Sequence, residues 1–148
     1  MKQTKLPNRS FNSEKRIGER HETIVRAFLE KNGVKLLPKV NDRDPDITLL
    51  DGRTVEVKSR RRKFESLADF AEKLPAIETK RRWDKKKPKP VAYVIISQFT
   101  KAMVWTQGSN ARRWKVVSRP NNNGGMAECY VCPREQLHPI ETLVEFLT

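Results

Sequence analysis

Asp46, Glu56 and Lys58 are spaced so that a single turn brings them together. They lie in residues 44–60, DPDITLLDGRTVEVKSR. Ile47, Leu49 and Leu50 lead into Asp51-Gly52, a strong turn signal, and the extended run Thr54-Val55-Glu56-Val57-Lys58 follows. Side chains alternate along a strand, so Glu56 and Lys58 share one face while Val55 and Val57 take the other. A hairpin closed at Asp51-Gly52 returns Asp46 to Glu56, which puts two carboxylates and an ammonium at one sheet edge.

Those residue types suit metal-dependent phosphodiester chemistry. Hard divalent ions such as Mg²⁺ take carboxylate, carbonyl and phosphate oxygens and keep waters that can act as nucleophiles. A neighbouring lysine can orient or deprotonate such a water, or neutralise charge on phosphate. A lone E-x-K would read as an ordinary charged surface hairpin; an aspartate correctly placed across the turn favours the site.

The surrounding elements must hold that hairpin. Residues 1–13 lack periodicity and read as a basic, flexible arm with Lys2, Lys5 and Arg9; residues 14–148 read as one domain. Ser13 is the expected N-cap of a helix over 14–32, in which Ile17, Ile24, Val25, Phe28 and Leu29 form one stripe and Gly33 ends the run. A strand over 34–40 follows, with Pro38 pointing to an edge or a bulge. Phe64, Leu67, Ala68, Ala71 and Leu74 recur with helical spacing, predicting a second helix that stops at Pro75, with a further turn or two over 77–83. The apolar run 91–98, VAYVIISQ, reads as a central strand buried on both faces, with 101–106 as its neighbour. Weaker strands are expected at 114–117 and 126–131, and a last helix carries Ile140, Leu143, Val144 and Leu147 with Pro139 at its first position. The fold class is α/β: a mixed central sheet flanked by helices.

Charge points to a polyanionic partner. Lys and Arg number 31 against 18 acidic residues, a net charge of +13 that favours salt-sensitive phosphate binding. Arg60, Arg61, Arg62 and Lys63 follow the proposed site directly and are expected to position a nucleic-acid backbone, as are Lys39 and Arg43 before it. The second run, from Lys80 to Lys89, reads as a solvated face or loop. No apolar run is long enough to span a membrane, and the polar, basic N-terminal stretch lacks a secretory signal, so a cytoplasmic protein is expected.

A third acidic ligand is expected from the first helix. Glu22 lies beside Val25 and Leu29 at the edge of the apolar stripe, whereas Glu19 points nearly opposite, so Glu22 is preferred. Cys129 and Cys132 form a C-x-x-C pair without two further ligands at zinc-site spacing, and read as buried free thiols. His21, on the apolar stripe, reads as a packed helix histidine. Trp83, Trp105 and Trp114 read as core or interface residues.

Glu22, then Pro45-Asp46, then Glu56-x-Lys58 resembles the PD-(D/E)XK nuclease superfamily, and within it the archaeal-type Holliday junction resolvases. Gly33 after the helix and Ser59 after the lysine extend the resemblance, which covers residues 14–63 well and 91–97 loosely. The stretch LLPKVNDRD offers Lys39, Asn41 and Arg43 but no serine where those resolvases tend to carry one, and residues from 111 onward have no counterpart. The resemblance implies a restriction-endonuclease-like core in the order α-β-β-β-α-β. It further implies a homodimeric, Mg²⁺-dependent endonuclease, with Mn²⁺ able to substitute, that nicks branched DNA such as a four-way junction on two symmetry-related strands. Asp46 and Glu56 would bind the metal with the Val57 carbonyl and Glu22, and Lys58 would hold the attacking water. Other enzymes of the superfamily, acting on duplex or flap DNA, and a non-catalytic nucleic-acid-binding protein are the alternatives.

Overall fold

The computed structural model describes residues 11–121 and 124–148. Helix α1 (Phe11–Lys31) is followed by strands β1 (Leu36–Leu37), β2 (Ile47–Leu49), β3 (Thr54–Arg60) and β4 (Ala76–Thr79). Helix α2 (Lys80–Lys85), strands β5 (Ala92–Ser97), β6 (Met103–Gln107), β7 (Lys115–Pro120), β8 (Met126–Val131) and β9 (His138–Pro139), and helix α3 (Glu141–Leu147) complete the chain. Six strands form a mixed sheet in the order β1-β2-β3-β5-β6-β9, and β4-β8-β7 form a second, antiparallel sheet.

Strand alternation sorts the core into two layers. Val55 and Val57 of β3 share a face with Ala92, Val94 and Ile96 of β5, and this face packs against Val25 and Leu29 of α1 and Leu143 and Leu147 of α3. Tyr93 and Ile95 point the other way, onto Phe64, Phe70, Ile77, Trp114 and Cys132. β5 is buried throughout, as its uninterrupted apolar run requires. Each fully buried valine or isoleucine there contributes about 1.5–3 kcal/mol relative to exposure.

The β2–β3 hairpin forms as its turn residues dictate. Leu49 and Gly52 close the turn through Gly52 N–H to Leu49 C=O (2.9 Å), and Gly52 sits at φ +96°, a left-handed value that glycine adopts without a Cβ penalty. Leu49 N–H then reaches Arg53 C=O at 2.8 Å, and the ladder pairs Thr48 with Thr54 and Ile47 with Val55. α1 ends in a Schellman motif: Gly33, at φ +89°, donates to Glu30 C=O, and Val34 to Leu29 C=O.

Several expectations are corrected. α1 starts at Phe11, so Ser13 lies inside the helix rather than at its cap, and the expected arm keeps only residues 1–10, which lie outside the described residues. The strand over 34–40 shrinks to the edge pair Leu36–Leu37. Pro139 belongs to β9, and α3 begins two residues later. The largest difference is the helix expected over 64–74. That stretch is irregular, with one 3₁₀ turn at Leu67–Asp69, where the Asp69 carboxylate accepts from Glu65 N–H (2.9 Å) and Ser66 N–H (3.0 Å). The Arg134 guanidinium takes the Leu67 and Phe70 carbonyls (2.6 and 2.7 Å), satisfying groups a helix would have paired internally. Phe64 and Phe70 meet edge to face at 5.0 Å in the core. Apolar residues at helical spacing therefore serve an extended, buried connection.

The cysteines are buried and free, and burial raises the Cys132 thiol to about 11. Trp105 is buried, with its indole N–H on Pro139 C=O (3.1 Å) and Thr142 Oγ1 (2.9 Å), and Trp114 is buried against Tyr93. Buried His21 shares a short hydrogen bond with Ser59, on the helix face of β3; burial, then Lys101 and Arg20, hold its imidazole below the usual range. Among the described residues no helix is long and apolar enough to cross a membrane.

Candidate active site

The hairpin interlocks its two carboxylates. One position beyond the last β2–β3 pair, Asp46 N–H donates to Glu56 Oε2 at 3.3 Å, and Val57 N–H donates to Asp46 Oδ2 at 2.9 Å. Each carboxylate is thus fixed by backbone from the opposite strand. Glu56 is only 7 % exposed, an unusual position for a glutamate. Burial raises the Glu56 carboxyl above its usual range, with Asp46 adding repulsion against the partial relief from Lys58 and Lys86. Asp46 is raised too, chiefly by burial and then by Glu22, against the hydrogen bond from Val57.

Glu22 is the helix residue that reaches this edge. Lys39 Nζ donates to Glu22 Oε1 at 3.0 Å and lies 3.9 Å from Asp46 Oδ1, so one ammonium bridges helix and hairpin. Burial depresses that ammonium, but Glu22 and Asp46 outweigh burial and its pKa is raised. Glu19 is exposed.

Across β3 the structure brings in a carboxylate that the sequence had hidden. Lys58 Nζ donates to Glu78 Oε2 at 2.9 Å, and Lys86 Nζ lies 3.2 Å from Glu56 Oε1 and 3.5 Å from Glu78 Oε2. The Glu78 side chain is 2 % exposed. A register shift in the β4–β8 ladder between Ala76 and Glu78 explains its direction: the extra residue lets neighbouring Ile77 and Glu78 both point inward. Lys86 behaves like Lys39: burial opposes its charge, but Glu56 and Glu78 prevail and raise its pKa. Tyr93, opposite Glu56 in the β3–β5 register, is wholly buried, and its phenol is pushed up by burial and then by Glu78 and Glu56.

A cleft of about 480 Å³ opens over Asp46 and Glu56. One wall is the 42–46 loop, shaped by Asp44 Oδ2 accepting from Val40 N–H (2.9 Å) and Asn41 N–H (3.1 Å). The other carries Arg82, Lys85, Lys86 and Lys87, from the basic run read in sequence as a solvated face. The first run is placed elsewhere. Arg61, Arg62 and Lys63 line a separate groove with Phe64, Phe70 and Glu72, and Arg62 pairs with Glu72 at 3.5 Å. Arg60 is half-buried, and burial lowers its pKa despite Glu72. Of the expected nucleic-acid contacts, Arg43 alone faces the cleft as an exposed side chain, while Lys39 is spent on Glu22 and Asp46.

The donor set agrees in chemistry with a hard divalent cation. A cation between the two would relieve the buried Glu56 carboxylate of the repulsion that Asp46 exerts on it, and Asp46 of that from Glu22. Among the described residues, no group of three or more His, Cys, Asp or Glu side chains is gathered as a metal cage. Mg²⁺ does not need one, since it is commonly held by one or two carboxylates, waters and a substrate phosphate. Neither a protein-family model nor a curated protein matches the chain.

Proposed function

We propose that this chain is a Mg²⁺-dependent DNA endonuclease with a restriction-endonuclease-like core, acting on branched DNA and resolving four-way junctions by paired, symmetric nicks. The observation that carries the proposal is the interlocked pair Asp46 and Glu56, half-buried and buried, side by side at the floor of a basic cleft. Lys39 and Lys86 each reach one of these carboxylates, yet the carboxylates themselves are set against one another, which an ordinary structural ion pair does not require. For the core we take α1, the β1-β2-β3 run and α2 leading into β5, which lies parallel to β3.

Asp46 and Glu56 would hold the metal, with the Val57 carbonyl and Glu22 beside them. A bound Mg²⁺ supplies charge stabilisation at the phosphate and an acidified water. The chain's own residues do the positioning. Val57 N–H and Asp46 N–H fix the two carboxylates, so their oxygens need little reorganisation. Lys58, on the Glu56 face of β3, is the group to orient the attacking water or meet the phosphate oxygen, and Glu78 holds its ammonium in place. A two-fold dimer would present one such site to each of two junction strands.

The test is cleavage of an end-labelled four-way junction with Mg²⁺, beside linear duplex of the same arms and Glu56→Ala protein. Paired nicks in the junction alone, lost in the variant, are expected. Equal cutting of duplex would keep the nuclease and remove junction selectivity. The second reading, a non-catalytic DNA-binding protein, is favoured by the ammonium partner that each of Glu22, Glu56 and Glu78 has. Tight binding without cutting, with Mg²⁺ or Mn²⁺, would establish it.

A further inference from the structure

Four cations line the carboxylate cleft without a carboxylate of their own. Among the described residues, no acidic side chain lies within ion-pair distance of Arg43, Arg82, Lys85 or Lys87, all of which are exposed. Their neighbours differ: Lys80 is paired with Asp84 at 2.7 Å, and Lys86 with Glu56 and Glu78. The wall is also anchored. Thr79 Oγ1 accepts from Arg82 N–H at 3.2 Å to cap α2, and Lys86 N–H closes its far end on Trp83 C=O at 3.2 Å. Trp83 packs edge to face on Tyr130 of β8 at 5.5 Å, with Lys89 Nζ 4.0 Å from its ring centre. Unneutralised positive side chains on a fixed wall, above acidic groups that would repel a polyanion, are arranged for phosphates that approach from the wall side.

We propose that a nucleic-acid backbone is bound along the α2 wall by Arg82, Lys85 and Lys87, with Arg43 on the opposite rim, and that the run at 60–63 is not the track. The inference rests on the nucleic-acid reading given above and adds where the strand lies. Placing its phosphates on this wall sets one of them over Asp46 and Glu56, because the same cleft holds both.

Binding of a labelled four-way junction in EDTA, where no cleavage occurs, tests this independently of catalysis. Each lost phosphate contact lowers the slope of log affinity against log salt by about 0.9. Arg82→Ala/Lys85→Ala/Lys87→Ala is expected to lower it by roughly 2–3 and to weaken binding uniformly across sequences. Lys85→Arg/Lys87→Arg, which keeps the charge, is expected to retain the parent slope. An unchanged slope in the triple variant, or transfer of the loss to Arg61→Ala/Lys63→Ala, would overturn the inference while leaving the nuclease proposal standing. A parent protein that binds no DNA would overturn both. Circular dichroism guards against misfolding, and the substituted side chains are exposed.

Discussion

The Lys58 ammonium and the Glu78 carboxylate, 20 residues apart in sequence, meet at 2.9 Å behind the candidate site. Glu78 has almost no solvent contact, and its ion-pair partners among the described residues are Lys58 and Lys86. Glu78→Gln keeps shape and removes that charge, leaving Lys58 free to wander. A misplacement of about 1 Å costs on the order of a hundredfold in rate. We expect that scale of loss in single-turnover cleavage, with junction affinity in EDTA unchanged. Equal cleavage rates would reduce Glu78 to a packing residue.

Asp46 and Glu56 should make the metal-free protein less stable at neutral pH than neutral isosteres would. Both carboxyls are raised in the folded state, by burial first. The native protein therefore holds protons that the unfolded chain has released, and the associated stability is present at low pH and lost as pH rises through the native pKa values. Melting curves for Asp46→Asn and Glu56→Gln without divalent metal should lie above the parent at pH 7 and converge with it near pH 4. A parent that melts higher at pH 7 would mean that Lys39 and Lys86 outweigh burial.

Mg²⁺ should reverse that order. A ligand at a hundred times its Kd stabilises the native state by about 2.7 kcal/mol. Thermal melts of the parent should rise with Mg²⁺ concentration, and those of Asp46→Asn should not. A flat response in the parent would argue against a metal at this site.

Two glycines should respond oppositely to alanine. A Cβ on Gly108 would lie 1.9 Å from the Pro90 carbonyl oxygen, where Gly108 N–H meets Val91 C=O at 2.8 Å. Gly108→Ala should cost about 1–3 kcal/mol in urea unfolding, the usual range for overpacking. Gly18, within α1, has nothing within 4 Å of such a Cβ, and Gly18→Ala should add about 0.5–1 kcal/mol. A stable Gly108→Ala protein would show that the turn can shift away from β5.

The hairpin half of the site was legible because its signals are local. Asp51-Gly52 sets the turn, alternation sets the Glu56 face, and the helical wheel separates Glu22 from Glu19. The other half depends on partners distant in sequence. Phe64, Leu67 and Ala71 have helical spacing, yet Arg134 takes their segment's carbonyls from more than 60 residues away. Helical spacing over 64–74 with a further turn or two over 77–83 places Glu78 on a helix, where nothing in the sequence marks it as a neighbour of Lys58. Its inward direction comes from a bulge against β8, which no nearby residue announces. Lys86 and the α2 wall were similarly hidden, because a run of lysines has the same composition whether it faces solvent or a cleft.

The parallel pairing of β3 with β5 has a kinetic consequence. Antiparallel β2 and β3 can close through a few residues, but parallel neighbours need a long crossover. That crossover, residues 61–91, is the segment that carries Glu78, α2 and Lys86. A nascent chain can therefore form the Asp46–Glu56 hairpin early while the lysine beside it has no anchor and the cleft has no second wall. Non-local pairing is the slow part of folding. The acidic pair thus precedes its surroundings, and a chain caught partway through folding would carry the two carboxylates without Glu78, Lys86 or the α2 wall about them.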